Sequence, residues 1–190
     1  MIRRVHDKLP RAIAGLFEQA MPTRCRRVSR PASFRRKTDA AIAESRRVFR
    51  ALHEAGCFVI PNPWDVGSAR MLQGLGFKAL ATTSSGFAWS RGRPDNGITR
   101  EMALAHLADI VAATDLPVNA DFESGFAHDP AGVAQSVQLA LATGVAGLSI
   151  EDSTGDPERP LYTIDEASQR MRAARRAIDP DGTFAFIRVR

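Results

Sequence analysis

Cysteine is nearly absent from this chain. Cys25 and Cys57 are too few for a disulfide framework and lack the spacing of metal ligands. A reducing cytoplasm is therefore the expected compartment. No apolar run approaches the ~20 residues of a membrane span, so no membrane partner is expected. No Gly-x-Gly-x-x-Gly follows the first predicted strand, which argues against a dinucleotide-binding fold. Acidic residues are scarce at one end only. Residues 1–37 hold eleven Lys and Arg against two Asp and Glu, a net +9, whereas residues 38–190 hold 15 and 19, a net −4. The sequence pI of about 10.0 thus belongs to the N-terminal segment, and the body is mildly acidic.

What is present is a 190-residue chain with 44% hydrophobic and 25% charged residues. That balance belongs to globular proteins and excludes a wholly disordered or collagen-like chain. Residues 1–37 read as a basic, poorly ordered extension, and residues 38–190 as the folded body. Clusters such as Arg24, Arg26, Arg27 and Arg30 have the charge to hold phosphates. No aromatic interleaving or nucleic-acid motif accompanies them, so nucleic-acid binding is the less favoured reading.

From Thr38 the chain alternates helix and strand. Thr38 or Asp39 starts a helix that Gly56 stops, and Cys57–Ile60 reads as a short buried strand in which Cys57 is a small core residue. A helix from Asp65, a strand over 77–83 and a Gly/Ser-rich loop over 84–97 follow. Thr99 caps the next helix, 117–121 is a strand, and Asp129-Pro130 opens a helix. Residues 147–151 form a strand, Thr163 opens a helix, and 183–189 is a last strand-like run. The strands read as apolar runs with both faces covered. This is an α/β pattern with a parallel sheet, compatible with a doubly wound sheet or a (β/α)₈ barrel.

In such folds chemistry sits at the carboxyl ends of the strands. Those ends read Asn62-Pro63-Trp64-Asp65, Thr82-Thr83-Ser84-Ser85-Gly86, Asn119-Ala120-Asp121-Phe122-Glu123 and Ser149-Ile150-Glu151-Asp152-Ser153. Adjacent strands bring Asp121 and Glu151 together, and like charges there repel unless a cation intervenes. An all-oxygen set suits Mg²⁺ or Mn²⁺. The Ser84-Ser85-Gly86 turn has donors for a carboxylate or enolate oxygen. A single acid after a strand more often caps a helix; three such ends in succession carry more weight.

These motifs, in order and with Arg93-Pro94-Asp95-Asn96-Gly97, resemble the isocitrate lyase/phosphoenolpyruvate mutase superfamily, in particular its phosphonomutase-like branch. The resemblance covers residues 45–182. It implies a (β/α)₈ TIM-type barrel, a homo-oligomer, Mg²⁺, and lyase or mutase chemistry on a small 2-oxo acid through an enolate. It matches Ser85 and Gly86, with the adjoining Phe87, to substrate binding, Asp121 to the direct metal ligand and Glu151 to a ligand acting through water. Asn119 stands where many members carry the first acid of Asp-x-Asp, so one negative charge is expected to be lost. Asp95 matches an active-site aspartate. Arg188 matches a catalytic arginine, although Arg190 stands where an acid is expected. The loop 153–162 lacks the Lys-Lys-Cys-Gly-His of the isocitrate and methylisocitrate lyases, which argues against a cysteine acid. A full barrel takes ~250 residues, and residues 38–190 accommodate about five strands. The chain is therefore expected to be an incomplete barrel, with a truncated, non-catalytic fragment as the alternative.

Overall fold

The computed structural model of the protein describes residues 37–178 and 186–189. The expectation for residues 1–36 lies outside the described residues. Lys37, the last residue of the basic segment, donates from Nζ to Leu116 O at 3.3 Å.

Four helices begin where a short polar side chain can receive their free amides. Thr38 accepts from Ala41 N–H at the start of α1 (Asp39–Ala51). Asp65 caps α2 (Val66–Gly74) in a reciprocal box with Ser68. Thr99 caps α4 (Arg100–Ala113), and Asp129 caps α5 (Pro130–Ala142), with Pro130 in its first turn. These caps satisfy amides that no helical carbonyl can reach. Between α2 and α4 lie β1 (Leu80–Ala81) and a short helix, α3 (Ser84–Ser90). After α4 come β2 (Val118–Asp121), α5, β3 (Gly147–Ile150), a hairpin of β4 (Ser153–Asp156) and β5 (Arg159–Leu161), α6 (Ile164–Ile178) and β6 (Phe186–Val189).

The main sheet runs β1-β2-β3-β6, parallel throughout, while β4 and β5 pair antiparallel in a separate ribbon. Successive parallel strands need a helical crossover, and α4, α5 and α6 supply it. The side chains of β2 alternate: Val118 and Ala120 are buried under the helices, whereas Asn119 and Asp121 lie half-buried on the other face. The strands are therefore not apolar on both faces, because the inner face carries the polar residues of the strand ends. The core joins Leu80, Val118, Leu148 and Ile150 of the sheet to Leu107, Ile110, Val133, Val137, Ala174 and Ile178 of the helices. Each of the Leu, Ile and Val side chains contributes ~1.5–3 kcal/mol through burial.

A smaller cluster closes the amino ends of the strands, where Phe49 of α1 packs on Ala79 and Ala146. A Cβ at Gly147 would stand 2.4 Å from the Phe49 ring and 2.5 Å from Asn119 Oδ1, so only glycine allows this approach.

Three expectations need correction. Residues 57–60 form no strand; Cys57 is exposed rather than a core residue, and Val59 is 67% exposed. The segment runs extended beside β1, with Ala81 N–H bonded to Pro61 O. Among the described residues no strand covers its outer side, so burial cannot recruit it, and four of the five expected strands form. The Gly/Ser stretch after β1 contains the helix α3, and the loop 153–162 is the β4–β5 hairpin. No helix among the described residues is long and apolar enough to cross a membrane.

Candidate active site at the strand ends

Parallel pairing sets Asp121 beside Ser149, and Ser149 beside Arg188, so these three backbone positions form a row across β2, β3 and β6. Asp121 is fixed from two sides. Its Oδ2 accepts from Ser84 N–H at 2.9 Å and from Ser84 Oγ at 3.0 Å, while its own N–H donates to Thr82 Oγ1 at 2.9 Å. Its Oδ1 is buried and accepts nothing. One pleat deeper, Asn119 Nδ2 donates to Ser149 Oγ at 3.0 Å. The asparagine thus bridges two strands below the carboxylates.

Two residues beyond Asp121 stands Glu123, which sequence reasoning did not single out. It is buried, and its backbone has φ 45°. Its carbonyl accepts from Glu151 N–H at 2.8 Å, which joins the ends of β2 and β3. Its Oε1 is buried without a partner. Burial first, then the charges of Asp95, Asp121 and Glu151, push its carboxyl up to about 7. Those perturbations put Asp95, Asp121, Glu123 and Glu151 in one electrostatic neighbourhood. Asn119 brings no charge here, and the further carboxyl is that of Glu123, which keeps its proton up to about 7; Asp-x-Glu across 121–123 is the sequence signal that would have found it.

The residues matched to substrate binding sit on α3. Ser84 spends its N–H and hydroxyl on Asp121. Gly86 N–H donates to Thr83 Oγ1 at 3.3 Å, and Thr83 Oγ1 lies 3.2 Å from Ser85 Oγ. A Cβ at Gly86 would stand 2.6 Å from Trp64 Nε1, so glycine lets the indole close over this turn. Phe87 N–H bonds Thr83 O within the helix. The Phe87 ring is buried and stacks on His106, with centroids 3.9 Å apart. Burial holds that imidazole down at about 4, so it is neutral near pH 7. Asp95 lies on the exposed loop after α3, where its Oδ1 accepts from Asn96 N–H. Arg188 is placed by its backbone register alone.

Among the described residues no three His, Cys, Asp or Glu side chains already stand in metal-holding geometry. The donor chemistry nevertheless fits a divalent cation. Two buried carboxylate oxygens, on Asp121 and Glu123, lack partners, and burial with neighbouring acids raises the cost of charge on Glu123. A hard cation relieves both.

A parallel sheet with helices outside and acids gathered at its carboxyl ends is the scaffold of a TIM-barrel-type enzyme, here incomplete. The chain belongs to the phosphoenolpyruvate phosphomutase family, whose profile matches residues 49–190. It is 34% identical over 145 residues to the 2-methylisocitrate lyase of Escherichia coli K12, covering 71% of this chain and 49% of that protein. A structure from Burkholderia cenocepacia J2315, provisionally assigned as a lyase/mutase, superposes with a TM-score of 0.76 at 48% identity, covering 78% of this chain and 54% of that one. Oxaloacetate acetylhydrolase, solved with its product oxalate, superposes with a TM-score of 0.68 at 29% identity over 77% of this chain and 54% of that one. The chain spans about half the length of these relatives.

Proposed function

We propose that this chain carries the metal-holding part of a lyase or mutase site for a small 2-oxo acid, oxaloacetate- or phosphonopyruvate-like. The observation that carries this reading is the pair of buried, unpartnered oxygens on Asp121 and Glu123 at the carboxyl end of β2. Asp121 is the direct ligand of Mg²⁺ or Mn²⁺, and Glu123 and Glu151 complete the acidic surround. Asn119 supports the site from one pleat below. The cation supplies positive charge that makes an enolate accessible.

The chain's own groups have separate tasks. Ser84 and Thr82 hold Asp121 in one orientation, so that little reorganisation accompanies binding. Ser85, Gly86 and Phe87 border the substrate's carboxylate. Asp95 moves a proton from its exposed loop, and Arg188 pairs with substrate negative charge. The working protein is a homo-oligomer in the cytoplasm.

The test is a thermal melt of the full chain with Mg²⁺, with oxalate, and with both. The expected result is a Tm raised by Mg²⁺ and raised further by the pair. Asp121→Asn, close to isosteric, should remove both shifts. A melt indifferent to Mg²⁺ and oxalate overturns the reading.

A second reading has its own support. The segment before β1 has no covering strand among the described residues, and Val59 is largely exposed. On that reading the chain binds the metal but turns over substrate only when another polypeptide completes the barrel. A Tm shift without turnover of any 2-oxo acid favours it.

A further inference from the structure

α6 carries one arginine where an apolar residue is expected. Arg170, Ala174 and Ile178 follow one another at helical spacing along its buried stripe, and Arg170 is only 2% exposed. The neighbouring Arg172, Arg175 and Arg176 face solvent. An arginine this deep needs partners for its whole guanidinium. Here those partners are main-chain carbonyls. Nη1 donates to Ala127 O and His128 O, each at 2.6 Å, and Nη2 donates to Ser124 O.

All three carbonyls belong to the loop between β2 and α5. Glu123 is the second residue of that loop, whose backbone is unusual. Glu123 (φ 45°) and Phe126 (φ 54°) are both left-handed without being glycine. Such residues cost of order 1–3 kcal/mol each and persist only where surrounding contacts enforce them. The fork of Arg170 is such a contact.

The same guanidinium lies over the Tyr162 ring, 3.9 Å from its centroid. The Tyr162 hydroxyl is 2.8 Å from His128 Nδ1, in the β2–α5 loop again. Tyr162 N–H donates to Asp152 O at 2.9 Å, and Asp152 follows Glu151. One side chain therefore fastens the loop that holds Glu123 to the residue that anchors the backbone after Glu151.

We propose that Arg170 is the positioning residue of the strand-end site: it holds the Glu123 loop and the Glu151 turn in one fixed relation, and thereby sets the spacing of the acids toward a divalent cation. It touches none of the carboxylates and acts through the loop. The proposal rests on the metal-site reading above. Lysine cannot replace it, because an ammonium lacks the planar fork that reaches three carbonyls at once.

The test uses the full chain with no metal for one readout and Mn²⁺ for the other. Amide hydrogen exchange is followed in peptides covering 122–129 and 150–154 for wild type, Arg170→Met, Arg170→Lys and Tyr162→Phe. Mn²⁺ affinity is measured by titration of the free-ion paramagnetic signal. Arg170→Met should speed exchange in both peptides while the core of α4 stays protected. Mn²⁺ binding should weaken ~10–100-fold, the range for residues that orient metal ligands. Arg170→Lys should restore only part of either. Should Arg170→Met fail to melt cooperatively, Tyr162→Phe decides: it keeps the ring under the guanidinium and cuts only the bond to His128, and should loosen the same peptides to a smaller degree. Unchanged exchange in the folded variants, or a loosened loop with undiminished Mn²⁺ affinity, overturns the positioning role. A wild type that binds no Mn²⁺ overturns the site reading itself, a result separate from either.

Discussion

Burial and the charges of Asp95, Asp121 and Glu151 together push Glu123 up to about 7, from an ordinary value of 4.5. The unfolded chain releases this proton near 4.5, whereas the folded chain keeps it until about 7. Across that window the native state binds more protons, so stability falls as pH rises. Above it the full penalty is present; below 4.5 it vanishes. Tm measured from pH 5 to 8 without divalent cations should therefore fall more steeply for wild type than for Glu123→Gln, which has no charge to bury. Parallel profiles would place the strain elsewhere. Gly86 offers a second residue-scale check. A methyl there meets Trp64 and Thr83 at 2.6 Å, and overpacking of this kind costs ~1–3 kcal/mol. Gly86→Ala should displace the indole and shift tryptophan emission; an unchanged spectrum would mean the turn relaxes without moving Trp64.

Among the elements, helix starts were the most legible feature. Thr38, Asp65, Thr99 and Asp129 cap where the sequence places them, because capping is settled within four residues. Asp65→Ala removes the carboxylate that accepts from Ser68 N–H and Oγ while leaving the backbone bond from residue 65 to Ser68 Oγ, and should lower stability by ~1 kcal/mol, read as a lower urea midpoint with unchanged m-value. No loss would show that α2 is held by packing alone. Elements whose definition depends on distant partners were not legible. α3 forms in a Gly/Ser-rich stretch, capped locally by Thr83 and held by Asp121, 37 residues on, which takes up Ser84 N–H. The β4–β5 hairpin forms from Ser, Gly, Asp and Pro, a composition that reads as loop. Its attachment to α6 comes from Arg159 to Glu166 at 2.6 Å and from Thr163 to the same carboxylate.

At the scale of the whole molecule, the described residues leave apolar side chains in water. Val59, Met71 and Leu75 are each about two-thirds exposed or more, and Ile164 is 85% exposed. Large apolar side chains left in water in such numbers are candidates for surfaces that another element or chain covers. The protein should bind an apolar dye, and replacing Val59 and Met71 together by serine should reduce that binding without lowering Tm. Dye binding that survives the double substitution would locate the exposed surface elsewhere. The hydrophobic sheet–helix core, by contrast, is well packed. Leu148 is fully buried within it, and Leu148→Ala should cost ~2–5 kcal/mol.

The sequence by itself determined the alternation of the main helices and strands, the parallel α/β class and the acids at the strand ends. All of these depend on local periodicity and capping. Only the tertiary structure decided that Cys57–Ile60 remains unpaired, that Glu123 joins Asp121 and Glu151, and that Arg170 fastens their loops. A strand needs a neighbour to complete its hydrogen bonds. A carboxylate's pKa depends on charges brought near it from other strands, and a buried arginine depends on carbonyls more than 40 residues away. Those relations exist only once the chain has folded back on itself.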